Sequence, residues 1–445
     1  MSGVAAEPEV RPGDYPKLSP ACSFHVYDGG RGEEEYVLGV DGRHFRVSAR
    51  ARRILERLDG KTSFEEIAVG LNREEAVEIT ADDLRTLIEK KYSHLGVLAD
   101  GRPQGPGSDA ASRGARPTGF PFLLTWDLVP EAVVGWFARG LDRLFSLPGL
   151  ALLALSAVAH VPVYARPLSP MAGSRFTPEQ ALGIMALCVL SILIHELGHA
   201  AAVSRFGGKP GKIGFGLYLL MPTFYADVSQ IWRFSRRRRM TVDLGGVYFQ
   251  QLCFGAFAAI GVATGRAELF VACRMIDFMV LTTLNPIFRF DGYWFLVDYL
   301  AIPRLQGVAL GYPSYLLRRL TGRPAAPPEL LGLSRAGRLV FRSYALLSGL
   351  FLIAALGLAV RSLTSALSWF PVVVPAILEA ARSAVKDGDV LALLYRVLVL
   401  FLLLTFPTSA LIGLVLYLRR LGLWCTAKLR GAVDRRAKLL RRRET

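Results

Sequence analysis

Three ionisable residues, His195, Glu196 and His199, stand inside an otherwise apolar run from Leu182 to Val203, LGIMALCVLSILIHELGHAAAV. Four residues apart on a helix, the two imidazoles share one face a turn apart, so both can reach a single metal ion. Glu196 lies beside them, placed to take a proton from a water that such an ion activates. The run is long enough to cross a bilayer, since about 20 apolar residues suffice. Ionisable groups in that setting are expensive and point to function. Gly198, Ala200, Ala201 and Ala202 let neighbouring backbones come close. The bland alternative makes His195 and His199 polar packing residues and pairs Glu196 with an arginine. It must then explain why an apolar span carries groups it does not use.

A catalytic zinc ion (Zn2+) takes three protein ligands and keeps one open position, so a third ligand must come from elsewhere in the chain. The candidate is Asp291, in LNPIFRFDGY, residues 284 to 293. Six apolar stretches read as membrane spans, near Leu147–Val163, Ala181–Val203, Val242–Ala263, Leu269–Phe288, Leu339–Val360 and Val397–Leu418. The loops at 204–241 and 289–338 are rich in arginine and lysine, which places both on the cytosolic side. The second and fourth spans then run in the same direction, and His199 and Asp291 end near the same membrane face. Pro286 frees backbone groups at that helix end, which is tolerable only where protein or water satisfies them. Asp291-Gly292 as a plain turn is the competing reading, and Asp227, in FYAD, is a rival third ligand. Residues 364–392 either dip into the outer leaflet or span it. Arg274 and Asp277, three apart in the fourth span, are expected to pair; His160 and the N-terminal histidines have no ligand partner in register.

Composition agrees with a membrane protein that carries a soluble N-terminal segment. The 445 residues are 52% hydrophobic, with the apolar residues concentrated after about residue 120. The net charge of +16 follows the loops and a basic tail, 419–445, that suits an anionic leaflet, so nucleic acid is not an expected partner. The five cysteines form no C-x-x-C pair and no disulfide framework. The polar N-terminus lacks the apolar core of a signal peptide, which predicts a cytosolic N-terminal segment.

That segment, residues 1–100, reads as a small α+β, winged-helix-like domain. Ser23 to Tyr27, Glu35 to Val40 and His44 to Val47 have strand character, punctuated by Gly29-Gly30 and Asp41-Gly42 turns. A first helix starts at Ser48. A second opens on the capping box Ser63/Glu66 and buries Ile67 and Leu71. A third opens at Thr80 with Asp83 and buries Leu84, Leu87 and Ile88. Acidic residues on helices two and three disfavour DNA and favour a peptide ligand. A Gly/Pro/Ser-rich stretch, 101–118, reads as a flexible linker, and Trp126, Trp136 and Phe137 mark an interfacial approach to the membrane domain, 119–418.

Residues 45 to 68, FRVSARARRILERLDGKTSFEEIA, resemble the PqqD-like family, whose modules bind leader segments of ribosomally made peptides. The resemblance implies capture of a leader at the edge of the small sheet. His195-Glu196-Leu197-Gly198-His199 and Asn285-Pro286 with Asp291-Gly292 resemble the two motifs of the site-2-protease-like zinc metallopeptidases, over most of residues 120 to 300. The N-P-x-x-x-x-D-G form is similar to the peptide zinc metalloprotease branch, and differs from the wider family in its spacing and missing second proline. The resemblance implies zinc on His195, His199 and Asp291, with Glu196 as base. It also implies a catalytic role for Asn285 in holding the substrate backbone or oxyanion.

The reading that results is a polytopic α-helical membrane protein of about six transmembrane helices, a zinc metalloprotease of the inner membrane with both termini cytosolic. Its expected substrate is a leader-guided precursor peptide, with modifying enzymes or an exporter as further partners. Two alternatives remain open: a regulatory protease that cuts membrane-anchored signalling proteins, and a non-proteolytic membrane subunit for peptide export or immunity.

Overall fold

A computed structural model describes residues 15–28, 34–40, 43–75, 78–92, 95–99, 124–166, 176–218, 221–321, 328–405 and a few positions from 408 to 419. The stretch 101–118, the two glycine turns of the N-terminal segment, His94 and the tail beyond 419 lie outside the described residues.

The N-terminal strands are β1 (Ser23–Tyr27), β2 (Glu35–Val40) and β3 (Arg43–Ser48), joined as an antiparallel meander in the order β1-β2-β3. Three helices follow: α1 (Ala49–Glu56), α2 (Phe64–Glu75) and α3 (Ala81–Lys91). The local signals act as read. Ser48 Oγ accepts from the Ala51 N–H, and Ser63 and Glu66 exchange hydrogen bonds. Thr80 and Asp83 form a full capping box, satisfying amides that a helix start leaves without partners. Leu38, Leu55, Leu71, Leu84 and Ile88 are fully buried in one apolar cluster that draws only on this part of the chain. Leu87 departs from its expected burial: it is 39% exposed. It faces a shallow groove with Phe45 of β3 and Lys90 and Lys91 of α3, not the core.

A second antiparallel sheet, in the order β4-β5-β6, joins β4 (Thr125–Val129) to the hairpin β5 (Ile213–Tyr218) and β6 (Met221–Ala226). The sequence reading placed β5 and β6 in a cytosolic loop. Their runs are short and glycine- or proline-interrupted, and the alternation that marks a strand is too brief to register against the spans either side. Trp126 and Phe215 stack across β4 and β5, 5.9 Å between ring centroids.

The helical body contains α4 (Glu131–Leu141), α5 (Leu147–Val158), α6 (His160–Tyr164), α7 (Pro178–Arg205), α8 (Arg236–Thr264), α9 (Ala267–Leu284), α10 (Asp291–Leu300), α11 (Leu305–Leu320), α12 (Arg335–Asp387) and α13 (Val390–Thr405). Among the described residues, three stretches are long and apolar enough to cross a membrane: Leu147–Tyr164, α7 and α8. The proposed fifth span and most of the uncertain region after it, up to Asp387, fall in one helix, α12, whose 53 residues would extend roughly 80 Å at 1.5 Å per residue. Only part of such a rod fits a hydrocarbon core of about 30 Å.

Packing of α7 on α8 brings the site together. A Cβ added to Gly198 would lie 2.3 Å from the Gly245 carbonyl oxygen, so the two backbones touch where any side chain would force them apart. Gly198→Ala should therefore part these helices and lower the melting temperature in detergent, by an overpacking penalty of about 1–3 kcal/mol. An unchanged melting temperature would show that the contact is not tight.

Candidate metal centre

The charged residues of the HELGH segment lie on α7 near its C-terminal end, facing α8 and the start of α10. All are buried: His199 is 3% exposed, His195 7%, Glu196 8% and Asp291 8%. His195 Nε2 and His199 Nε2 are 3.2 Å apart. Asp291 Oδ2 lies 3.0 Å from the first and 3.1 Å from the second. These are the residues that the described structure gathers as a metal-ligating group.

The hydrogen bonds behind the imidazoles decide what those atoms are. His199 Nδ1 is 2.7 Å from the Val242 carbonyl oxygen, which only accepts, so Nδ1 carries the proton. His195 Nδ1 is 3.2 Å from Gln250 Oε1, and Gln250 turns its Nε2 toward Ser191 Oγ at 3.4 Å, so this Nδ1 is protonated too. With Nδ1 carrying a proton, each ring turns Nε2 toward the other ring and toward Asp291 Oδ2, the orientation in which Nε2 can bind a metal. Three such atoms at about 3 Å repel one another unless a proton or a cation lies between them, and Asp291 Oδ2 is buried there. A cation shared by all three satisfies the group. Zinc bonds of about 2.0–2.1 Å at a tetrahedral angle separate ligand atoms by about 3.3 Å, close to the spacing found here, and two imidazoles with a carboxylate are a zinc-type donor set.

Three residues of α8 complete this arrangement, and the sequence reading missed them. Val242, Gly246 and Gln250 recur every four residues on one face of α8. The outer two hold the imidazoles from behind, and Gly246 stands between. A Cβ at Gly246 would meet both Nε2 atoms at 2.5 Å, the space the ion needs. The signal was present as a polar Gln in an apolar span, four residues from a glycine, but no motif announces it.

Asp291 opens α10, delivered by the turn that follows α9. Asn285 is the C-cap of α9, and its Oδ1 accepts from the Ile287 N–H at 3.1 Å, closing that turn. Asp227, the rival ligand, borders the same cavity, but Ser229 donates to its Oδ1 from both backbone N–H, at 3.0 Å, and hydroxyl. It is not part of the converged group. Asp277 receives His160 Nε2 at 3.2 Å, Tyr164 OH at 2.7 Å and Gln251 Nε2 at 3.3 Å, while Arg274 donates to the carbonyls of Val163 and Arg166. His160, read as having no metal-ligand partner in register, hydrogen-bonds Asp277 and stands outside the metal-ligating group.

A cavity of about 680 Å3 opens over the ligands, a size typical of sites that enclose a ligand. Glu196 borders it with His195, His199 and Asp291. β6 contributes Thr223, Phe224 and Tyr225 to one wall, and Leu398, Phe401 and Leu402 of α13 close another.

The fold and the site together define a mostly helical protein, with three helical stretches among the described residues long and apolar enough to cross a membrane, and a buried group of two histidines and one aspartate that could hold a metal ion. No family model matches the chain, and no solved structure does. A curated Bacillus subtilis (strain 168) protein named "Putative peptide zinc metalloprotease protein YydH" is 30% identical over 121 residues, covering 27% of this chain and 48% of that protein. The chain thus spans about half the length of the relative it matches. This similarity supports a zinc metalloprotease family.

Two outcomes follow. Gly246→Ala should leave a folded protein that no longer retains zinc, by metal analysis after dialysis; full retention would contradict the crowding. Gln250→Leu removes the acceptor that fixes the His195 tautomer, and zinc affinity should fall roughly 10- to 100-fold in a chelator competition. An unchanged affinity would mean that His195 is oriented by packing alone.

Proposed function

We propose that this chain is a zinc-dependent metalloendopeptidase of the site-2-protease type, which hydrolyses a peptide bond in a leader-guided ribosomal precursor at the cytosolic side of an inner membrane. The convergence of three donor atoms beneath a cavity that Glu196 borders carries this reading. The name of the Bacillus relative, which concerns a peptide zinc metalloprotease, supports it. About six spans with cytosolic termini remain the proposed topology, because the arginine-rich loops and the position of Asp291 beside His199 agree on one face.

His195, His199 and Asp291 would hold a zinc ion, which when bound would supply Lewis acidity. Glu196, at the edge of the cavity, would accept a proton from the attacking water and pass it to the leaving amine. The Val242 carbonyl and Gln250 keep both imidazoles in the tautomer that presents Nε2. Asn285 commits its Oδ1 to the turn before Asp291, so its Nδ2 hydrogens are the part that could serve an oxyanion. Among the described residues β6 is an edge strand of its sheet, and its Thr223, Phe224 and Tyr225 line the cavity; such an edge can hold an extended peptide by backbone hydrogen bonds.

For leader capture, the support is the far edge of β3 and the groove beside it. β3 pairs with β2 on one side only among the described residues, and Phe45, Leu87, Lys90 and Lys91 line the groove against α3. An extended peptide added to β3 would place apolar side chains on Phe45 and Leu87 and acidic ones near the lysines.

Glu196→Gln keeps size and hydrogen bonding but removes the base, so zinc should stay bound while precursor cleavage falls about 10²- to 10⁴-fold, read by mass spectrometry. Undiminished cleavage would remove Glu196 from the mechanism. Leu87→Glu should raise KM for the precursor with its leader and leave a short leaderless substrate unaffected; equal effects on both would argue against capture at this groove.

A further inference from the structure

The run Arg236 to Arg239 was read as loop charge on the cytosolic face, yet Arg239 is 1% exposed and sits at a junction of three parts of the chain. Its Nε donates to Asp298 Oδ1 at 2.9 Å, and its Nη1 donates to the Phe234 carbonyl at 3.0 Å. Its Nη2 reaches into the N-terminal segment, to the Asp28 carbonyl at 3.0 Å and Tyr27 OH at 3.4 Å. The guanidinium also lies 4.6 Å from the centroid of the Tyr27 ring, and Tyr27 meets Trp232 at 6.2 Å. A buried guanidinium is tolerable only when its donors are matched. Here two of the four acceptors come from the end of β1.

The N-terminal segment supplies something more. Ser235, the N-cap residue of α8, makes no side-chain cap. Asp28 stands in for it: its Oδ2 accepts from the Arg236 N–H at 3.0 Å. A carboxylate there satisfies an orphan amide and faces the positive end of the helix dipole. The helix thus capped is the one that carries Val242, Gly246 and Gln250. Arg239 lies a turn before Val242, whose carbonyl fixes His199. Asp298 lies two turns after Asp291 on α10, so the Arg239–Asp298 pair ties the helix behind the imidazoles to the helix that presents the carboxylate.

We propose that Arg239 is a positioning residue, and that seating of Tyr27 and Asp28 on it sets the register of α8 against α10 and so the geometry of the metal centre. The N-terminal segment is then a structural part of the site as well as a carrier of substrate, and undocking it weakens the site. This rests on the metalloprotease reading for its kinetic consequence, though not for its effect on the metal. It is the reverse of a gating segment, whose release would raise activity.

The test uses the full chain in detergent, comparing wild type with Tyr27→Ala/Asp28→Ala and with the milder Tyr27→Phe, Asp28→Asn and Arg239→Lys. Neither Tyr27 nor Asp28 belongs to the apolar core of the N-terminal segment. In the double variant, loss of zinc to a chelator should accelerate roughly 10-fold, within the range for groups that orient metal ligands. Amide hydrogen exchange should rise in the first turn of α8 and in residues 291–300. On a short leaderless peptide, kcat should fall with KM little changed. Tyr27→Phe keeps the ring on the guanidinium and should lie near wild type, whereas Arg239→Lys loses the forked donors and should resemble the double variant. Wild-type zinc retention and exchange in the double variant would overturn the proposal, as would a gain in cleavage. If the double variant does not fold, Arg239→Lys decides on the same readouts. If wild type holds zinc but cleaves no peptide, the protease reading fails while zinc retention and exchange still decide the coupling.

Discussion

Two imidazole nitrogens and one carboxylate oxygen converge to about 3 Å of one another on buried side chains. Atoms of this kind repel unless a proton or a cation lies between them, and burial weakens the screening. The protein nevertheless arranges it with care. The Val242 carbonyl and Gln250 amide aim both Nε2 atoms inward, and Asp291 is fixed as the first residue of α10. A structure that holds three donors together against their mutual repulsion is organised for a cation, and other features of the helical body follow from that need.

The most direct consequence is the choice of small residues where α7 meets α8. Gly198 and Gly245 allow the backbones to touch, and Gly246 leaves the volume in front of the imidazoles empty of protein. Close approach of membrane helices depends on such residues, since lipid provides no hydrophobic drive between them. The same approach brings the α8 carbonyl within reach of His199, so the packing contact and the orientation of the ligand are one event. Arg239 extends this logic to α10, and Asp28 extends it to the N-terminal sheet.

Much of this was legible in the residues alone. His195 and His199 share a helix face by their spacing, and Asp291 was reachable by reading the arginine-rich loops as lying on one side. The N-terminal strands and capped helices came from turn residues and capping boxes, signals that act locally. What was hidden depends on contacts between distant segments. Gln250 and Val242 matter through a hydrogen bond and a carbonyl that no local pattern encodes. Leu87 fits a helical stripe, but the stripe is wider than the core it covers, and the residue emerges into a groove. β5 and β6 looked like loop because each is short and gains its identity from pairing with β4. Arg239 looked like one of four cytosolic charges; only the approach of Asp298 and β1 makes it buried.

The central claim is that His195, His199 and Asp291 hold one zinc ion with a position left for water. X-ray absorption at the zinc edge of the purified full-length protein tests it most directly. The account predicts four nitrogen or oxygen neighbours at about 2.0–2.1 Å, with the outer-shell scattering of two imidazoles. Sulfur neighbours near 2.3 Å, or a shell without imidazole scattering, would contradict it.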